Sequence, residues 1–501
     1  MPVTMDPQPP STRKVNVWAV VGVGMVVLVA CVVQFNGLTD RPPGFYLDES
    51  SYAYNAWTIA QGGVDEHGLA WPIIFEAFPG DWKSAPYAYV LAAIFKITGP
   101  SILAARLVGA VAALLAAGLL GVLAYRATRG LTIALFTALA AILTPWLFEP
   151  SRLAFEVSLM PALIAGFLVA VHGRKAEQRW SWGEVLVIAL LLGGITYTYT
   201  LGRLLGPLFA FGLLLYFRRD RWPNVPRVWL VYGVVLLPLL GFAVAHPGAL
   251  TARLDETGYL GAPLPDILAR FARQVLANVD LVRWLLVGDS NERQHVAGVM
   301  GSLLAATLML AVLGIDRVIH GRSSRPFWLY AIYALCAALI PASLTTNDFH
   351  VHRLIAVPIV LIVLTIPAQA WLVRNGSSAR SRRVAYVALV LGTVIQGAWF
   401  QIRYAEVAPG RGAWFDDAYP HLLDEALAAG VTPIYLIDGV VPGYIHAYWY
   451  GALRGIGPSR FVHLPRDTKA PPGAIVLSSE TDCAPCVMID TGGFFRLYRV
   501  P

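Results

Sequence analysis

The feature that most constrains the fold of this chain is a series of long apolar segments separated by short basic ones. The first apolar segment, residues 15–35, covers 21 positions and contains no charged residue. At a helical rise of about 1.5 Å per residue, it can cross a hydrocarbon core about 30 Å thick. Over the whole chain 57% of the residues are hydrophobic and 14% are charged, which is not the composition of a soluble domain. The sequence therefore predicts a polytopic α-helical membrane protein.

Basic residues between the apolar segments give a topology of about eleven spans. The predicted spans are 15–35, 102–125, 131–148, 157–171, 184–201, 203–217, 228–245, 298–315, 327–344, a tenth ending near 373, and 384–401. The basic clusters that mark cytoplasmic loops are Arg13 and Lys14, Arg126 and Arg129, Arg174 to Arg179, Arg218 to Arg227, Arg317 to Arg325, and Arg374 to Arg383. These clusters account for the net charge of +7, so we expect no nucleic-acid partner.

The same asymmetry of basic residues predicts which segments lie outside the cell membrane. In a cell with two membranes, this is the inner membrane. Residues 1–14 are predicted to be a cytoplasmic tail, and the first span is an uncleaved anchor because it is long and lacks a small-residue cleavage site. Four outer loops follow, at 36–101, 149–156, 246–297 and 345–353. Two apolar stretches within them, 86–97 and 267–287, are predicted to lie in the interface, the first being too short to cross and the second carrying arginines.

The C-terminal segment, residues 402–501, has a different pattern. It predicts one helix at 416–429 and short strands at 433–437, 461–464, 474–477, 487–489 and 494–499, bounded by Pro and Gly turns. We expect a small extracytoplasmic α/β domain. Cys483 and Cys486 could form a redox or zinc half-site, but an oxidising compartment favours a structural disulfide.

Charged side chains in the outer loops suggest the chemistry. The carboxylates are Asp48, Glu49, Glu76, Asp81 and Glu156, the cations are Lys83, Arg152, Arg203 and Arg353, and His350 and His352 add two imidazoles. Charges beside a bilayer are costly unless they are paired or functional. Both signs at the membrane surface suit a substrate with an anionic head and an apolar tail, such as a polyprenyl-phosphate sugar. Cations would bind the phosphate, and a carboxylate would accept a proton from the acceptor hydroxyl.

Simpler explanations remain for each group. The acidic pair could be a solvated loop, each arginine could snorkel from a span end, and the two histidines could cap helices rather than bind a metal. Tyr46, Tyr52, Tyr87, Tyr199 and His352 are the candidate pocket residues, because aromatic rings near the acids can exclude water and flank a sugar.

Several motifs together carry a resemblance to a known class. They are Asp48-Glu49 after the first span, Lys83 to Pro86 before an apolar stretch ending at Gly99, Ala105-Arg106-Leu107, and Ser151 to Glu156. In this arrangement the chain resembles the membrane glycosyltransferases of the GT-C class, in the branch of the protein O-mannosyltransferases and the lipid A aminoarabinose transferases. The likeness covers residues 15–203 well and the Arg353 region weakly.

The resemblance implies an inverting transfer from a polyprenyl-phosphate sugar to a glycan, lipid or protein acceptor. It implies that Asp48 is the base, that Lys83 and Arg203 contact the phosphate, and that Glu156 belongs to a second acidic motif. Two positions depart from the class: Trp82-Lys83-Ser84-Ala85-Pro86 stands where relatives often have Glu-Lys-Pro-Pro, and Glu156 stands where Asp is common. The first departure leaves open which residue near Lys83 would bind a divalent metal ion, and Glu76 and Asp81 are the candidate ligands.

Two other classes of function fit a chain with many spans. A lipid or polysaccharide transporter is expected to place charges and broken helices near the middle of the membrane, whereas here the charges lie in the outer loops. A non-catalytic cell-envelope assembly protein could use the C-terminal domain as a binding module.

Overall fold

The structure is a computed structural model that describes residues 17–217, 223–321, 326–376, 378–439, 441–466, 468–480, 483 and 485–501. The predicted cytoplasmic tail, residues 1–14, lies outside the described residues. So do the predicted cytoplasmic positions Arg218, Arg219, Arg221, Arg322 and Arg325.

Apolar helices form the bundle. They are α1 (Val17–Phe35), α4 (Ile102–Thr128), α5 (Leu131–Leu143), α6 (Pro145–Phe148), α7 (Met160–His172), α8 (Trp182–Thr198), α9 (Gly202–Gly212), α10 (Asn224–Val235), α11 (Leu237–Ala245), α14 (Ala305–His320), α15 (Pro326–Ser343), α16 (Ala356–Val373) and α17 (Ala379–Val407). The predicted outer loops carry α2 (Leu47–Gly62), β1 (Ile74–Phe78), β2 (Asp81–Ser84), α3 (Pro86–Thr98), α12 (Ala252–Thr257) and α13 (Leu264–Asn278).

Each of the eleven predicted spans contains a helix, but helix length supports a smaller number of crossings. Among the described residues, five helices are long and apolar enough to cross a membrane: α1, α4, α15, α16 and α17. The number rises to seven if each of two bent pairs forms one span. The first pair is α5 with the chain up to Arg152, and the second is α10 with α11. The breaks lie at Pro145 and Pro238, which lack the amide hydrogen that would continue the helix. The predicted total of eleven therefore stays a prediction.

Two predicted helix boundaries differ most from the structure. The eighth predicted span, 298–315, is helical only from Ala305 onward. The predicted interfacial helix 267–287 ends at Asn278 and is followed by a separate π-helical turn, Arg283–Val287. In both places the apolar pattern continues through turns that interrupt the backbone hydrogen bonds.

Helix α16 occupies the centre of the bundle. Its side chains are buried on all faces, as expected for a helix that is apolar all round. Helix α4 packs closely on its neighbours through glycines: a Cβ on Gly109 would lie 2.6 Å from the carbonyl oxygen of Ser151. This approach holds the predicted outer loop 149–156 against the bundle.

The described part of the C-terminal segment is a small α/β layer. It contains α18 (Tyr419–Ala428), β3 (Ile434–Ile437), α19 (Tyr444–Leu453), β4 (Phe461–Leu464), β5 (Ile475–Ser478), β6 (Val487–Gly492) and β7 (Phe495–Arg499). The strands form one sheet in the order β4-β3-β5-β7-β6, parallel from β4 to β5 and antiparallel beyond. Cys483 and Cys486 form a disulfide. The strands were predicted, whereas α19 was not.

The C-terminal segment and the first outer loop share one hydrophobic core. Trp449 of α19 stacks on Phe45, which precedes α2, and on Phe95 of α3, with ring centroids 5.6 and 5.8 Å apart. These rings are buried together with apolar residues of both segments. Helix α2 is therefore held between the bundle and the C-terminal segment.

Candidate active site

A cavity of about 260 Å³ lies where the predicted outer loops meet. Each of the four loops contributes to its wall, for example through Asp48, Glu156, Arg293 and His352. Tyr199, between α8 and α9, adds a fifth segment. The cavity thus brings together side chains from Tyr46 to Arg353, which are far apart in the chain.

Two adjacent acids at the start of α2 point in different directions. Asp48 lines the cavity, with about a third of its side chain exposed (31%). Glu49 is fully buried and receives two hydrogen bonds from Arg106, at 3.0 Å each, and one from the Ala154 amide at 2.9 Å. It also accepts from the Tyr46 amide at the helix start. Glu49 therefore ties α2, α4 and the 149–156 loop together, and Asp48 is left facing the cavity.

Asp48 forms an ion pair with Lys83 of β2. The Lys83 ammonium lies 3.9 Å from Asp81 and 4.7 Å from the centre of the Phe78 ring. Burial raises the pKa of Asp48, but the charge of Lys83, with smaller contributions from Arg293 and Arg253, lowers it overall. Burial lowers the pKa of Lys83, and Asp48 and Asp81 raise it overall. Asp48 is therefore a carboxylate and Lys83 an ammonium at neutral pH.

Glu156 lies deeper in the wall. Only 3% of it is exposed, and burial raises its pKa to about 8 despite the nearby Lys83. Burial also lowers the pKa of His352 to about 4. Within the described residues, neither Glu156 Oε2 nor His352 Nε2 has a hydrogen-bond partner. Both side chains are uncharged at neutral pH and retain unused hydrogen-bonding capacity.

Three arginines complete the cavity. Arg353 was predicted, and its guanidinium donates to Asn347 at 2.9 Å. Arg253 and Arg293 were not predicted; both come from the long 246–297 loop. Arg293 lies over the Tyr46 ring at 5.7 Å and donates to the Trp414 carbonyl. With Lys83, the wall carries several cations within a small volume.

Other predicted site residues lie outside the cavity wall. Arg152 is buried and donates to the carbonyls of Gln34, Asn36, Gly37 and Arg41 at the C-terminal end of α1. Arg203 donates to Leu250, and its second terminal nitrogen has no partner among the described residues. Tyr52 and Tyr87 are buried behind the wall and donate to Ser84 and Ala105.

The candidate metal ligands do not assemble around a common point. Glu76 accepts from the Gly80 amide in the turn between β1 and β2, outside the cavity wall. Asp81 lies in the cavity, but the Lys83 ammonium contacts both Asp81 and Asp48. In the described chain, the three side chains that could share an ion are His421, Glu425 and Asp490, on the surface of the C-terminal segment. The ammonium of Lys83 itself therefore lies between Asp48 and Asp81, where a divalent ion would have to bind, and we assign no step to a metal.

Comparison with known proteins gives structural neighbours only. No family model matches the sequence, and no curated protein matches it. ArnT from Cupriavidus metallidurans, in a crystal structure bound to undecaprenyl phosphate, is similar over 95% of this chain and 97% of its own, with a TM-score of 0.59 and 15% identity.

The archaeal oligosaccharyltransferase AglB from Archaeoglobus fulgidus is also similar. In complex with an inhibitory peptide and a dolichol-phosphate, it aligns over 92% of this chain and 69% of its own, with a TM-score of 0.53 and 13% identity. A structure of the oligosaccharyltransferase from that organism with Zn and sulfate has a TM-score of 0.55 and 14% identity, covering 91% of this chain and 67% of the other. The chain therefore has the GT-C fold of these membrane glycosyltransferases.

Proposed function

We propose that the chain transfers a sugar from a polyprenyl-phosphate donor to a hydroxyl or amine acceptor on the outer face of the membrane. The observation that carries this proposal is the ion pair of Asp48 and Lys83, open to a cavity that also contains Arg253, Arg293 and Arg353. A carboxylate beside clustered cations suits a reaction in which a phosphate leaves and a proton must be accepted. The GT-C fold supports the assignment, since one neighbour binds undecaprenyl phosphate and another a dolichol-phosphate.

The cations would bind the donor phosphate. A phosphodiester carries one negative charge, and a phosphate monoester leaving group carries more. Lys83 and the arginines would stabilise this increase in charge as the sugar departs, in a partly enclosed site where water screens it less. The same contacts would hold the donor with its polyprenyl chain in the membrane.

Asp48 would act as the base. The acceptor oxygen or nitrogen forms a bond to the anomeric carbon from the face opposite the phosphate. The bond from that carbon to the phosphate oxygen breaks, and its electron pair leaves with the polyprenyl phosphate. Asp48 accepts the acceptor's proton as the new bond forms, so the configuration at the anomeric carbon is inverted.

Donor binding would also prepare the base. Without donor, Lys83 holds the pKa of Asp48 below its usual range, which makes Asp48 a weak base. A donor phosphate would share the Lys83 ammonium with Asp48. The phosphate charge would raise the proton affinity of Asp48 when the substrate is in place, while Asp48 remains in contact with Lys83.

The sharpest test uses two carboxamide variants of the same cavity. In proteoliposomes supplied with polyprenyl-phosphate sugar and extracted membrane acceptors, Asp48→Asn should reduce polyprenyl-phosphate release by about 100-fold or more, the usual scale for a general base. The matched control is Asp81→Asn, which also removes a carboxylate near Lys83. It should cost less than about tenfold, because a partly exposed ion pair contributes about 1 kcal/mol or less.

Parental turnover in Asp48→Asn would end the base assignment. The transporter alternative predicts a different result: lipid-linked sugar would cross the bilayer in these vesicles and no polyprenyl phosphate would be released. An assembly protein would do neither.

A further inference from the structure

One part of the cavity is polar, aromatic and uncharged. Four rings surround Phe155, and we call this group, together with Glu156, the Phe155 cluster. Its ring centroids lie 5.6 Å from Phe155 for His352, 5.8 Å for Tyr52, 6.4 Å for Tyr46 and 6.5 Å for Tyr199. The members of the cluster that line the cavity directly are Phe155, Glu156, Tyr46, Tyr199 and His352.

The cluster contains polar atoms that need a ligand. Glu156 and His352 are 97% and 96% buried, since their exposed fractions are 3% and 4%. Glu156 Oε2 and His352 Nε2 have no hydrogen-bond partner among the described residues. Buried polar atoms without partners are unfavourable, so these two positions suit a ligand that both donates and accepts hydrogen bonds. Sugar hydroxyls do both, and aromatic rings pack on the C–H faces of a sugar.

The charges of the cavity restrict the sugar further. Asp48 and Asp81 are the two carboxylates that contact Lys83, so each already has a cation as its partner. Glu156 is neutral at pH 7, because its pKa is raised to about 8. The remaining charged groups on the wall include Arg253, Arg293 and Arg353. A sugar ammonium would therefore meet cations and find no free carboxylate.

We infer that the donor sugar presents uncharged hydroxyl groups to the Phe155 cluster and carries no basic amine. This inference rests on the proposed function and names its substrate class. It separates the chain from the lipid A aminoarabinose transferases in the branch that the sequence resembles, whose sugar is an amine. In this arrangement Glu156 acts as a neutral hydrogen-bonding group that holds the sugar, and Asp48 remains the base.

The first test compares donors that differ only in one amine. The parental protein in proteoliposomes is given undecaprenyl-phosphate glucose or glucosamine, and undecaprenyl-phosphate arabinose or 4-amino-4-deoxyarabinose. We expect polyprenyl-phosphate release from a hydroxyl donor to exceed that from its amine partner by about tenfold or more, as expected for an ammonium placed near the cations of the cavity wall. Preference for an amine donor would overturn this inference and leave the proposed function intact. Release from none of the four would overturn the proposed function, and this inference with it.

The second test uses the protonation of Glu156. Groups that face it are Lys83, Asp48, Arg203, Tyr46, Tyr52, Tyr87 and Tyr199. With a hydroxyl donor, the parental rate should fall as pH rises through about 8, because ionised Glu156 can no longer donate a hydrogen bond and repels the donor phosphate.

Glu156→Gln should remove this alkaline decline, whatever its rate at pH 7, because a carboxamide both donates and accepts without ionising. The control is Glu76→Gln, outside the cavity wall, which should keep the parental pH profile. An alkaline decline that persists in Glu156→Gln as it does in Glu76→Gln would show that protonated Glu156 does not hold the sugar, and would overturn the inference.

Discussion

At the scale of residues, Asp48 and Glu49 show that two adjacent acids of one helix can have different roles. Successive residues are about 100° apart around a helix axis, so both cannot face the same side. Glu49 turns toward Arg106, which also donates to the carbonyls of Leu38, Thr39, Pro42 and Gly44. This ion pair is fully buried and fixes the direction in which Asp48 points.

The Glu49–Arg106 pair gives a stability prediction. Arg106→Met leaves the Glu49 carboxylate buried without its partner, which should lower the free energy of unfolding by about 3–5 kcal/mol. Denaturation of the purified protein in mixed micelles measures this loss. The double variant Glu49→Gln with Arg106→Met removes both charges and should recover part of the stability. Additive losses in the double variant would show that the pair contributes no coupling.

Residue roles were only partly predictable from the sequence. Asp48, Lys83, Glu156 and His352 could be grouped because the predicted topology places all four on the outer face, and the first three fall in the motifs that resemble the GT-C class. Arg253 and Arg293 could not, because the 246–297 loop is long and no spacing in it shows which side chains reach the cavity. Arg152 was predicted to contact the donor phosphate, but its guanidinium donates hydrogen bonds to backbone carbonyls at the end of α1.

At the scale of elements, α2 is held in place by α19. The Ser50 hydroxyl lies 2.8 Å from His446 Nδ1, and His446 Nε2 lies 3.2 Å from Asp416. All three side chains are buried. Because Ser50 is two residues from Asp48, this chain of hydrogen bonds connects the C-terminal segment to the start of the helix that carries the proposed base.

His446→Leu tests this connection. It leaves Ser50 and Asp416 buried without their shared partner, which should destabilise the protein by about 1–3 kcal/mol. It should also lower the turnover rate, because α2 would lose a contact that orients Asp48. The control is His421→Leu, an exposed position on the same segment, for which we expect neither effect. Parental stability in His446→Leu would show that the two elements are held by apolar packing alone.

Elements with a strong periodic pattern were predictable, and those without it were not. The strands β3 to β7 coincide with apolar runs that are bounded by Pro and Gly. Helix α19 is rich in aromatic residues, which favour strands by propensity, and it becomes helical by packing on α2 and α3. The hairpin of β1 and β2, which contains Lys83, also has no clear alternation of apolar and polar residues.

At the scale of the whole molecule, the predicted outer loops converge on one cavity, and that they lie outside the cell stays a prediction. Cysteine labelling tests it. A cysteine at the exposed Ser459 of the C-terminal segment should react with an impermeant thiol reagent applied to intact cells, because this segment is predicted to lie outside. A cysteine at the exposed Ser378 should react only after permeabilisation. The parental protein, whose free cysteines are Cys31 and Cys336, is the background control. The reverse labelling pattern would contradict the topology.

The central claim is that the chain consumes a polyprenyl-phosphate sugar through Asp48. Mass spectrometry of lipid-linked sugars tests it in cells that contain the parental gene, no gene, Asp48→Asn or Asp81→Asn. We predict that one polyprenyl-phosphate sugar accumulates without the gene and with Asp48→Asn, and returns to the parental amount with Asp81→Asn. An unchanged set of lipid-linked sugars in all four strains would contradict the account.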